Sequence, residues 1–92
     1  MKWKNPSDPE LYFYTADGST IRSLEELPEA LKRMDDDTYL RHVEEEKNDF
    51  SNWVRDVLEL PQLSRDLEEA ANRNTSIGIV RRTLGAEEDM PA

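Results

Sequence analysis

Cysteine is absent from the 92 residues. Disulfides, cysteine–zinc sites and thiol catalysis are therefore excluded. Histidine occurs once, as His42, so a His-Glu-x-x-His zinc helix is excluded as well. Glycine is scarce: Gly18, Gly78 and Gly85 are too scattered to build a phosphate loop. No serine lies in Gly-x-Ser-x-Gly, the elbow of the α/β-hydrolases. No apolar run approaches the roughly 18–20 residues that a membrane span needs. Positive charge is the minority: 12 Lys and Arg stand against 21 Asp and Glu, a formal net charge of −9. A nucleic-acid groove and an anionic membrane surface both require positive potential, so neither is the expected partner.

What is present fits one small domain. Hydrophobic and charged residues each make up 36% of the chain, yet the apolar ones fall in periodic clusters, which favours folding over disorder. Basic residues within the first six positions have no apolar core behind them, unlike a signal peptide. The expected location is the cytoplasm. Strong acidity with arginine outnumbering lysine also fits a protein of a salt-rich cytosol. A plain acidic surface is the alternative.

The pattern predicts an α+β fold with helix dominant: a short N-terminal β-hairpin packed on four or five short helices. Residues 1–10, with Pro6 and Pro9, read as an extended arm, and residues 11–85 as the globular domain. Residues 86–92 read as a disordered acidic tail. Leu11–Tyr14 and Ser19–Arg22 flank Asp17-Gly18, a hairpin signal, with Leu11 and Phe13 expected on one face. Ser23 and Glu26 have capping-box spacing. They should start a helix to about Met34, which Pro28 kinks or delays by a turn. Asp35–Asp37 should end that helix and cap the next.

Tyr39, His42, Val43 and Glu46 then recur at helical spacing. After an Asn48-Asp49 cap signal, Phe50, Trp53, Val54, Val57 and Leu58 form the strongest amphipathic stripe. Over 37–59 we expect two helices rather than one. Pro61 suits a helix start, with Leu60, Leu63, Leu67 and Ala70-Ala71 inward. A last helix, capped from Asn74–Ser76, should run to Leu84 and stop at Gly85. Gly78 weakens it, and close packing would explain its presence. The expected core is Phe13, Ile21, Leu27, Leu31, Val43, Phe50, Trp53, Val57, Leu63, Leu67, Ile77 and Val80.

Candidate function concentrates in His42, Asn48, Asp49 and Trp53. His42 is the side chain that normally titrates near neutrality. Oriented by Asp49 or a glutamate it would serve as a general base. Packed on Tyr39, Phe50 or Trp53 and bonded to a cap group, it is structural. The second reading is preferred, because base catalysis also needs a pocket and an oxyanion stabiliser. Asp35–Asp37 lacks the spacing and glycine of a calcium loop, so no metal or other cofactor is expected.

A second candidate set is a partner surface of Trp3, Arg73, Arg81 and Arg82. Trp3 is an apolar anchor in a polar arm, with packing on its own domain slightly favoured. Residues 73–84 hold three arginines and no acid, whereas 35–49 hold seven acids against Arg41 and Lys47. This polarity either steers a partner or balances internally.

The residues Phe13 with Asp17-Gly18, Ser23–Leu27 with Ala30-Leu31, His42-Val43, Lys47–Phe50 and Trp53–Val57 together resemble the DUF5752 family of small archaeal and bacterial domains, from about Phe13 to Leu67. The family pattern usually has Asn where Glu44 stands, and Gly-Asp where this chain has Glu59-Leu60-Pro61. The resemblance implies an accessory or interaction module and carries over no activity, substrate or cofactor. Three functions follow for testing. The first is a noncatalytic protein-interaction or regulatory module, for which homo-oligomerisation is open. The second is a small-ligand binder or enzyme around His42 and Asp49. The third, disfavoured by charge, is a nucleic-acid binder using the arginines of the last helix.

Overall fold

A computed structural model describes residues 3–88, with side chains through residue 85. It is helix-dominant α+β. Strands β1 (Phe13–Tyr14) and β2 (Thr20–Ile21) form the N-terminal hairpin, with Phe13 opposite Ile21 and Tyr14 opposite Thr20. Helices α1 (Leu27–Arg33) and α2 (Asp36–His42) follow. A second two-stranded hairpin, β3 (Val43–Glu44) with β4 (Lys47–Asn48), leads into α3 (Asp49–Asp56), α4 (Pro61–Glu69) and α5 (Arg73–Glu88). α3 packs on α4, and α1 on α5.

The first hairpin turns through Thr15–Ser19. Gly18 supplies the positive φ of 90° that a side chain rarely adopts. Asp17 accepts from the Thr15 hydroxyl and the Ser19 N–H. These bonds, Thr15 foremost, hold the Asp17 carboxyl below its ordinary pKa. Leu11 does not extend the strand: it ends a 3-10 turn at Pro9–Leu11 and is exposed, while Phe13 is buried.

Pro28 delays the regular helix, as expected. A 3-10 turn at Leu24–Glu26 comes first, and Pro28 then sits in the first turn of α1. The capping box does not form. Ser23 makes no side-chain cap, and Glu26 accepts instead from Arg22 N–H at 2.9 Å. Asn5, from the N-terminal arm, takes the capping role by accepting from Leu24 N–H at 3.1 Å. Asp35 caps α2 through Thr38 N–H at 2.8 Å, and that bond lowers its carboxyl pKa.

Two helices do lie within 37–59, but a hairpin separates them. Helical spacing at Val43 and Glu46 is overridden because residues 43–48 pair across β3 and β4. Glu59, in the α3–α4 link, takes φ of 60° while Leu60 N–H reaches back to Val54 C=O at 3.1 Å. The cap of α5 is Asn72, accepting from Thr75 N–H at 2.8 Å, upstream of the expected Asn74–Ser76. The helix continues through Gly85 to Glu88. The expected tail therefore begins inside a helix, and its remainder, 89–92, lies outside the described residues.

The core is one cluster. Val43 and Val57, expected inside, sit partly buried at its edge. Trp3, Leu24, Met34, Tyr39, Val54 and Leu58 join it. Two pairs of buried hydroxyl-bearing residues tie helices together. Tyr39 Oη meets Ser76 Oγ at 2.8 Å, tying α2 to α5, and Ser51 Oγ donates to Ser64 C=O at 2.8 Å, tying α3 to α4. Among the described residues no helix is long and apolar enough to cross a membrane.

Candidate functional site

His42 closes α2 with its side chain only 12% exposed. The ring sits edge-on to Phe13 and Phe50, at centroid distances of 5.1 and 5.4 Å. Nε2 lies 2.9 Å from the backbone nitrogen of Ala16, in the turn of the first hairpin. A backbone N–H only donates, so Nε2 carries the lone pair. The neutral ring then holds its proton on Nδ1 and donates it to Asp49 Oδ2 at 3.0 Å.

Asp49 is the first residue of α3, where a negative charge meets the positive end of the helix dipole. Lys47 Nζ stands 3.8 Å from the same carboxylate oxygen and donates to Arg41 C=O at 3.3 Å. Asn48 caps α3 by accepting from Ser51 N–H at 3.0 Å, and its amide donates to Leu67 C=O at 3.1 Å. Trp53 Nε1 donates to Leu11 C=O at 2.8 Å. The four residues singled out from the sequence thus join four parts of the chain: the hairpin turn, α3, the end of α4 and the 3-10 turn at Pro9–Leu11.

His42 and Asp49 reproduce two members of a nucleophile–histidine–carboxylate arrangement. In such a site Nε2 faces the reacting hydroxyl or water. Here a backbone N–H occupies that position, so Nε2 has no lone pair available for a substrate proton while the hairpin is seated. Among the described residues no group of three or more His, Asp or Glu gathers in a way that could hold a metal ion.

The second candidate set divides. Trp3 is 8% exposed and belongs to the core, because the arm is held down by Lys4 N–H to Leu58 C=O at 3.3 Å and by the Asn5 cap. Arg73 faces inward too. Its guanidinium reaches Leu31 C=O at 2.9 Å and Asp36 Oδ1 at 3.0 Å, serving the carbonyl end of α1. Trp3 and Arg73 are therefore not open to a partner. Arg81 and Arg82 are exposed on α5.

Sequence reasoning missed Ala16, whose contribution is a backbone N–H without a side-chain signature. It also missed Asn5 and Leu40. An apolar residue beside Arg41 and one turn after Asp36 and Asp37 was the available signal for Leu40, which is 59% exposed. Comparisons with protein-family models, with curated proteins and with solved structures find no match.

Proposed function

We propose that this protein is a noncatalytic interaction or regulatory module that acts on another protein. The observation that carries this reading is the double engagement of His42. Both ring nitrogens bond within the domain, and the ring sits edge-on against the stacked pair of Phe13 and Phe50. A general base needs a free nitrogen and room for a substrate beside it. His42 serves instead as a latch that seats the first hairpin on α3.

The resemblance to DUF5752 domains belongs to the same proposal and points the same way. So does the acidic charge of −9, which disfavours nucleic acid and anionic lipid and leaves proteins as the natural partners. A cytoplasmic setting, including a salt-rich one, suits that surface.

A nuclear magnetic resonance screen of 15N-labelled protein against a fragment and metabolite library tests the reading. The expected result is that no compound shifts Ala16, His42 and Asp49 together. A compound that shifts all three saturably, and exposes Nε2, would overturn it in favour of a small-ligand site.

A further inference from the structure

Resting on that reading, we infer that the partner docks through a cationic amphipathic helix, and that it docks on the face shared by α2, the β3–β4 hairpin and the α4–α5 link. Leu40 and Val43 form one wall of a groove of about 280 Å³. Ala70 and Ala71 form the other. Leu40 is 59% exposed, although most of the other leucines of the helices are buried in the core. Small alanines opposite an open leucine leave room for one apolar side chain from outside.

Val43 also lines a second, polar groove of about 270 Å³, so the two grooves are neighbours across that residue. Glu44, Glu45, Glu46 and Glu68 border this second groove, with Lys47 as its one cation. Lys47 is held by Arg41 C=O and the Asp49 carboxylate. The ion pairs among the described residues involve none of the four glutamates. At the far end of the apolar slot, Arg73 and Asp36 neutralise each other. An occupant therefore meets an apolar slot with carboxylates on one side.

That arrangement is complementary to a helix carrying an apolar stripe with lysine or arginine beside it. Strand addition is a poor alternative, since β3 and β4 are two residues each and offer little backbone to pair. A second copy of this chain is a poor occupant as well, because its net charge of −9 repels the glutamates.

The probe is a fluorescein-labelled peptide of leucine and lysine at helical spacing. A scrambled peptide of the same composition and a leucine–glutamate peptide are the controls. Anisotropy titrations and amide shift maps are recorded at low and high salt. The leucine–lysine peptide is expected to bind, to lose affinity as salt rises, and to shift Leu40, Val43 and Ala71. Leu40→Ser should weaken it about tenfold, the loss of one apolar contact of about 1.4 kcal/mol. The triple variant Glu44→Gln/Glu45→Gln/Glu46→Gln should weaken it similarly and flatten the salt dependence.

Equal affinity for the scrambled peptide, or indifference to Leu40→Ser, would reduce the effect to general charge attraction and overturn the proposal, as would absence of binding. Shifts confined to another face, such as Arg81 and Arg82 with the leucine–glutamate peptide, would remove this groove and leave the interaction reading standing. Only a small-molecule hit at His42 removes the reading itself.

Discussion

His42 shows how much a single side chain depends on where its two nitrogens point. Its ring carries one proton when neutral, and the two neighbours demand one acceptor and one donor. His42→Phe keeps an aromatic ring against Phe13 and Phe50 but supplies neither the acceptor for Ala16 N–H nor the donor for Asp49. It should lower the protection factor of the Ala16 amide and cost about 0.5–1.5 kcal/mol for each bond lost. Native-state hydrogen exchange at Ala16, read at one pH beside urea unfolding, checks this. An Ala16 amide equally protected in the variant would contradict the hydrogen-bond assignment.

At the scale of elements, a cap residue of a short helix can also tie that helix to a distant part of the chain. Asn48 both caps α3 and bonds the Leu67 carbonyl near the end of α4. Asn48→Ala removes both bonds and should cost about 1–2 kcal/mol in urea unfolding. Asn48→Asp keeps the cap acceptor and loses the donor to Leu67, so its loss should fall between wild type and alanine. A larger loss for aspartate would mean that repulsion from the Leu67 carbonyl outweighs the retained cap.

Gly78 gives a second test. A Cβ built there meets nothing within 4 Å, so close packing does not explain the glycine. Gly78→Ala should then stabilise α5 by about 0.8–1 kcal/mol through backbone entropy alone. A raised thermal midpoint is the expected reading, and a lowered one would mean that the added methyl meets a neighbour in the folded chain.

For the whole molecule, charge sets the response to solution conditions. Asp17 and Asp35 have carboxyl pKa values lowered by hydrogen bonds from Thr15 and from Thr38 N–H respectively. A lowered folded pKa favours the native state above the unfolded value, about 3.9. That contribution is lost as pH falls from there through the lowered folded values. Asp17→Asn with Asp35→Asn should flatten the decline of the urea midpoint below about pH 4. An unchanged acid slope would place the sensitivity in other carboxylates. Salt acts in the opposite sense to acid. With a net charge of −9, screening of self-repulsion should raise the thermal midpoint between low salt and about 1 M potassium chloride. A flat or falling midpoint would argue against a salt-adapted surface.

The sequence by itself determined the class of the fold, because that depends on local patterns. The Asp17-Gly18 turn, the Pro28 delay, the Asp35 and Asn48 caps and the stripe from Phe50 to Leu58 each act within a few residues. Most of the core was legible for the same reason, since apolar spacing marks an inward face. Tertiary structure decided what local pattern leaves degenerate. Ser23 had the cap spacing, yet Asn5 arrived from the arm and took the bond. Val43 and Glu46 kept helical spacing, yet residues 43–48 paired as strands and carried Glu44–Glu46 onto a hairpin. Trp3 and Arg73 were candidates for a partner surface, Trp3 with packing on its own domain slightly favoured, and both are drawn inward, by the core and by the carbonyls of α1. His42 and Asp49 were legible as residues, but only the seating of the Ala16 N–H on Nε2 decided what they can do. That bond joins residues far apart in sequence through a backbone group, and such groups are the same at every position of a chain.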